Sequence, residues 1–173
     1  SGTMVSEDTV LTAAHCLHSG TVSGQPYRNF RVTPGRNSGA APFGRCMGQK
    51  AFVLSGWTAA LTSAESRIYD LGALKLDCDV GQRTGWVGLR ALADGETPGT
   101  LVQGYAVDSP SPGIQMVSLG KVVALTTYKG FYDNDTIGGT SGASVFAIGA
   151  DDALIGVHTN GVFGDEAPWS KFN

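Results

Sequence analysis

The sequence is short of charge. Asp, Glu, Lys and Arg make up 16% of its 173 residues, against roughly 25% in an average domain. The Lys and Arg are scattered and the net charge is −3, so there is no basic stripe to hold nucleic acid or an anionic membrane. No apolar run approaches the ~18 residues that span a bilayer. No leader peptide is visible, although the mature form of a secreted protein would have lost one. No long segment keeps a helical period; residues 59–69 are the best short candidate. There is no internal repeat.

Cysteine is scarce as well. Cys16, Cys46 and Cys78 contain no CxxC pair, which argues against a cysteine-rich zinc site. Cys46 and Cys78 can close one loop, which would point to an oxidising compartment. Cys16 is then left over, either as a reactive thiol or as half of a bridge completed elsewhere.

What the chain has in excess is glycine, 25 residues, about twice the typical ~7%. With 42% hydrophobic residues it can bury a substantial core. Strand-like runs fall at 2–6, 9–13, 30–35, 51–57, 71–76, 100–107, 114–128, 143–149 and 153–159, separated by Gly, Pro, Asn and Asp. Short strands at this spacing predict an all-β barrel or sandwich. The loop-like stretch from Asp79 to Gly99 reads as a joint between two β halves.

Three motifs carry chemistry. VLTAAHC (10–16) is a β run that ends in small residues and His15. YDLGALKL (69–76) sets Asp70 just before an apolar strand. DNDTIGGTSGASVF (133–146) puts Ser141 in a glycine-rich turn. Alone, each has a bland reading: a structural histidine, a strand-start carboxylate, a turn serine. Together they supply a nucleophile, a base and an orienter. A serine hydroxyl is a weak nucleophile until a neighbouring base takes its proton. Histidine suits that task, with a pKa near ~6.5. A buried carboxylate fixes the imidazole tautomer and stabilises the imidazolium. Gly139 lets the backbone turn so that the N–H groups of Gly139 and Ser141 can converge on one oxyanion, each such donor being worth ~10²–10³ in rate.

TAAHC, DLGALKL and GTSGASV resemble the signature blocks of chymotrypsin-like serine proteases. SGTMVSEDTVLTAAHC, FYDNDTIGGTSGASVF and IGVHTNG bring the chain closest to the secreted bacterial glutamyl-endopeptidase branch. The resemblance implies two perpendicular six-stranded antiparallel β-barrels. The first, residues 1–85, would carry His15 and Asp70, and the second, 86–173, Ser141. His15 is then general base, Asp70 its orienter, Ser141 the nucleophile, and the Gly139 and Ser141 amides the oxyanion hole. A secreted monomer acting on polypeptides is expected, with no cofactor and no metal. In place of the aspartate that precedes the nucleophile in vertebrate-type members stands Thr140, so zymogen activation through that position is excluded. The family's partner for the cysteine after the catalytic histidine would fall just before Ser1. Cys16 is therefore expected to bridge upstream, with the first strands and a C-terminal helix lying outside residues 1–173.

The same likeness places the specificity pocket at Asp135 and Thr136 and at GVHTNG, with His158, Thr159, Asn160 and Gly161. His158 and Thr136 are both hydrogen-bond donors suited to a substrate glutamate. Asp135 pulls the other way, because its position matches the pocket aspartate of enzymes that cut after Arg or Lys. Glutamate is favoured, since His158 has no purpose in a basic-selective pocket. The rival classes are a non-catalytic binding or toxin-like module and a cysteine protease using Cys16. Against the second, adjacent side chains of a strand or turn point apart. His18 reads as a solvated loop residue, and Trp57, Trp86 and Trp169 as packing. Asp77, Asp79, Asp151 and Asp152 lack the ligand spacing of a calcium loop.

Overall fold

In the first part of the chain, apolar and polar residues alternate with period two, and the strands they form bury alternate side chains. β1 (Thr3–Met4), β2 (Thr9–Thr12), β3 (Arg31–Val32), β4 (Cys46–Val53) and β5 (Gly72–Leu76) form one antiparallel sheet in the order β1-β2-β5-β4-β3. Val10, Leu74, Leu76 and Cys46 turn inward from it and pack with Leu17 and Val80. A second antiparallel sheet has the order β10-β9-β6-β7-β8. Its strands are β6 (Gly99–Tyr105), β7 (Gln115–Leu125), β8 (Gly130–Tyr132), β9 (Ser144–Ile148) and β10 (Leu154–Val157). Val102, Ala143 and Val145 form its core, flanked by Tyr132 and Ile155. This computed structural model describes residues 1–107, 113–149 and 153–161. Trp169, Asp151, Asp152 and the stretch after Gly161 lie outside them.

Each sheet carries five strands among the described residues, fewer than a complete six-stranded barrel, in line with the expectation that some elements lie outside residues 1–173. Both are curled partial barrels with edges at β1 and β3, and at β8 and β10. The 51–57 run is corrected. β4 starts earlier and stops at Val53, and Ser55–Ala59 turns into a short helix, α1. Trp57 drives that turn: it is buried, and its indole N–H donates to the His18 carbonyl at 3.0 Å. The 59–69 candidate is broken. Thr62 and Glu65 form a capping box that starts a new helix, α2 (Ser63–Ser66), followed by a 3₁₀ turn at Arg67–Tyr69. β8 went unread because three residues are too few to show a period.

A disulfide joins Cys46 to Cys78, as expected, and Cys16 has no bridging partner among the described residues. The linker begins with a short helix, α3 (Gly81–Thr84). It passes the first sheet where the Val87 N–H donates to the Met4 carbonyl, and docks on the second where Leu154 bonds Gly88 and Arg90. Two further ties join the sheets. Thr3 and Ser144 share a buried hydroxyl–hydroxyl hydrogen bond. Ser1 links Thr12 to Tyr105, its carbonyl accepting from the Thr12 hydroxyl at 2.7 Å and its own hydroxyl from the Tyr105 N–H at 2.8 Å.

Candidate active site

Register brings the first two motifs together. β2 and β5 are antiparallel with Thr12 opposite Gly72, so the residues just after Thr12 meet those just before Gly72. Ala13 and Ala14 are fully buried, and Gly72 has no room for a side chain: a Cβ there would lie 2.8 Å from Leu17 and 3.3 Å from Ala14. The small residues of TAAHC and the glycine of DLGAL thus let the 3₁₀ turn Ala14–Cys16 settle onto the start of β5.

Asp70 is buried, and its carboxylate grips His15 twice. Oδ1 accepts the His15 backbone N–H at 2.8 Å, and Oδ2 lies 2.7 Å from Nδ1. A third donor, the Asn160 side-chain amide, stands 3.4 Å from Oδ2. The Asp70 hydrogen bond raises the pKa of His15 above the ordinary imidazole value, and the Cys16 thiol adds to it.

The serine turn approaches from the other sheet. Gly142 packs so closely on Thr12 that a Cβ would overlap the Thr12 hydroxyl. Ser141 is half-buried and Thr140 buried; the Thr140 hydroxyl closes the turn on the Ile137 carbonyl at 2.7 Å. Gly139 has φ +87° and lies against Val107, a conformation that glycine adopts without strain. Among the described residues neither the Gly139 nor the Ser141 amide N–H has an acceptor. The end of the turn is pinned to the exit of β10: the Gly142 N–H donates to the His158 carbonyl at 2.8 Å, and the His158 N–H to the Ala143 carbonyl at 2.9 Å.

His158 is buried and its Nδ1 lies 2.5 Å from the Tyr132 hydroxyl. Burial, then the nearby His15, lower its pKa to about 4. Thr136, Thr159 and Gly161 are half-buried, whereas Asn160 and Asp135 are exposed. A cleft of about 970 Å³ is bordered by Asp70, Tyr132, Thr159, Asn160 and Gly161 but not by Thr136 or His158, so the two donors do not share that cavity. Sequence reasoning missed Tyr132 as a partner of His158 and Asn160 as a partner of Asp70. No local pattern marks either, because each contact joins residues far apart in the chain. His18 is half-buried rather than solvated, its Nδ1 accepting from the Gly20 N–H at 3.0 Å. Trp57 is buried and Trp86 exposed.

Two antiparallel β-sheets, one presenting a carboxylate-held histidine and the other a serine in a glycine turn, define the chymotrypsin class of architecture. The profile of the trypsin-like peptidase domain matches residues 1–157, and the chain belongs to that family. It is 34% identical over 170 residues to a glutamyl endopeptidase of Bacillus licheniformis, covering 94% of this chain and 52% of that protein. It is 32% identical over 167 residues to an extracellular metalloprotease of Bacillus subtilis, covering 92% and 50%. The chain spans about half the length of these relatives. A solved structure of a Glu endopeptidase in complex with MPD superposes with a TM-score of 0.82 at 26% identity, covering 92% of this chain and 73% of that one. Among the described residues Cys46, Asp77 and Cys78 form a cluster of ligand-type side chains. It does not fit a metal ion, since both sulfurs are spent in the disulfide and the Asp77 carboxylate accepts the Met47 N–H.

Proposed function

We propose that the chain is the peptidase part of a secreted serine endopeptidase that cuts polypeptides after glutamate through an acyl-enzyme. Residues 1–85 contribute His15 and Asp70, and residues 86–173 contribute Ser141. His15 takes the Ser141 hydroxyl proton as the oxygen attacks the scissile carbonyl carbon. The oxyanion is received by the Gly139 and Ser141 N–H groups, whose lack of another acceptor among the described residues supports that role. The imidazolium then protonates the leaving amine as the C–N bond breaks. Water, deprotonated by the same histidine, releases the acyl group and restores Ser141.

The observation that carries this reading is the two-point hold of Asp70 on His15. It leaves Nδ1 committed and Nε2 for proton transfer. Glutamate as the preferred residue is supported by the buried His158, by the half-buried Thr136, and by relatives named glutamyl endopeptidases. The Arg/Lys alternative needs Asp135 at the bottom of a closed pocket, and Asp135 is exposed. The Cys46–Cys78 disulfide supports an oxidising, extracellular setting. A fluorophosphonate probe and paired reporter peptides test the whole reading. Labelling at Ser141, lost in Ser141→Ala, and faster cleavage after Glu than after Lys are expected. An unlabelled Ser141 would favour the non-catalytic module, and faster cleavage after Lys would remove the glutamate assignment.

A further inference from the structure

A buried histidine that recognises a carboxylate must present an N–H, and a neutral imidazole has only one. His158 is 5% exposed, and with its pKa lowered to about 4 it is neutral near pH 7. Which nitrogen carries the proton therefore decides whether the ring attracts or repels an anion. Nδ1 faces the hydroxyl of Tyr132, the last residue of β8, at 2.5 Å. Burial raises the Tyr132 pKa, so the phenol keeps its own proton. Among the described residues that proton has no acceptor except His158 Nδ1. Were Nδ1 protonated instead, it would donate to the phenol oxygen and leave the phenol O–H unbonded in a largely buried site, the costlier arrangement.

We propose that Tyr132 is a positioning residue that fixes His158 as the Nε2–H tautomer, so that an uncharged imidazole presents a hydrogen-bond donor to the carboxylate of a substrate glutamate. This rests on the glutamate reading above. Nε2 has no hydrogen-bond partner among the described residues, which leaves it free for that purpose. The opposite tautomer would aim a lone pair at the substrate. It would repel the glutamate carboxylate and accept from the amide N–H of glutamine. Tyr132 thereby separates Glu from Gln, two side chains of nearly the same shape. The titratable groups bearing on the ring are Tyr132 from β8 and His15 from the first sheet. No carboxylate among the described residues is bonded to it.

Nitrogen-15 NMR of His158 in the unsubstituted protein, between about pH 5.5 and 8, should find the proton on Nε2 and none on Nδ1. A proton on Nδ1 overturns the proposal, and this readout needs neither a variant nor turnover. Kinetics on peptides differing only in Glu or Gln before the cut bond give the second readout. Tyr132→Phe should raise KM for the Glu peptide about tenfold, with kcat changed by less than about twofold, and should lower the Glu-to-Gln preference by a similar factor. An unchanged preference in the Phe variant counts against the proposal. If the unsubstituted enzyme itself fails to prefer Glu to Lys, the glutamate reading falls, while the NMR still decides the tautomer.

Discussion

The Asp70 carboxylate bonds the main chain and the side chain of the same residue, with Oδ1 2.8 Å from the His15 N and Oδ2 2.7 Å from Nδ1. One buried anion thus fixes both the position of the turn and the orientation of the ring. The two bonds make different demands. An amide oxygen can replace Oδ1 at the backbone N–H, but the amide nitrogen would then face Nδ1 as a donor and force the wrong tautomer.

Asp70→Asn is accordingly expected to fold and to lose about 10⁴ in kcat. Circular dichroism and active-site titration separate the two effects. Activity within about tenfold of the parent would show that Nδ1 needs no carboxylate.

The raised pKa of His15, caused first by the Asp70 hydrogen bond, sets the pH dependence. The base must be neutral to act, so kcat/KM should climb with pH along a limb whose midpoint lies above the ordinary imidazole value of ~6.5. A midpoint below that value in a pH–rate profile would contradict the assignment.

His158 makes the opposite prediction for stability. Its folded pKa is depressed to about 4, so between about 6.5 and 4 the unfolded chain binds more protons than the folded one. Its contribution to stability is complete above the unfolded value and is lost as pH falls through that window. Urea midpoints measured from pH 7 down to 4 should fall less steeply in His158→Gln than in the parent.

Gly139→Ala tests the oxyanion turn. Its φ of +87° disfavours a side chain, and the added Cβ would lie 2.6 Å from the Val107 N. Moving that amide should cost about 10²–10³ in kcat with a smaller change in KM. An alanine variant of normal kcat would place the oxyanion donors elsewhere.

The Cys46–Cys78 bridge spans 32 residues. Replacing both with alanine should lower stability by about 2–4 kcal/mol, chiefly by freeing the unfolded chain. Denaturant melts of the oxidised, reduced and double-alanine forms check this.

Much of the site was legible in the sequence because its residues sit in short, chemically distinctive runs. TAAHC, DLGAL and GTSGAS contain the small residues and glycines that the close contacts at Ala14, Gly72 and Gly142 require. The all-β class followed from short strand-like runs punctuated by Gly, Pro, Asn and Asp, which are a local property of the chain. Strand length and number were less legible: β4 bends through a register shift near Gly48, and β8 is three residues long. Local pattern is silent on both.

By itself the sequence determined which chemical groups are available and the β class, and it allowed Cys46 and Cys78 to close one loop. The tertiary structure alone decided that each sheet has five strands among the described residues. It also turned Asp135 to the surface, brought Asn160 to Asp70, and set Tyr132 against His158 from 26 residues away. The reason is physical: side-chain alternation is written residue by residue, whereas the partner of a buried polar group is chosen by register and packing between strands distant in the chain.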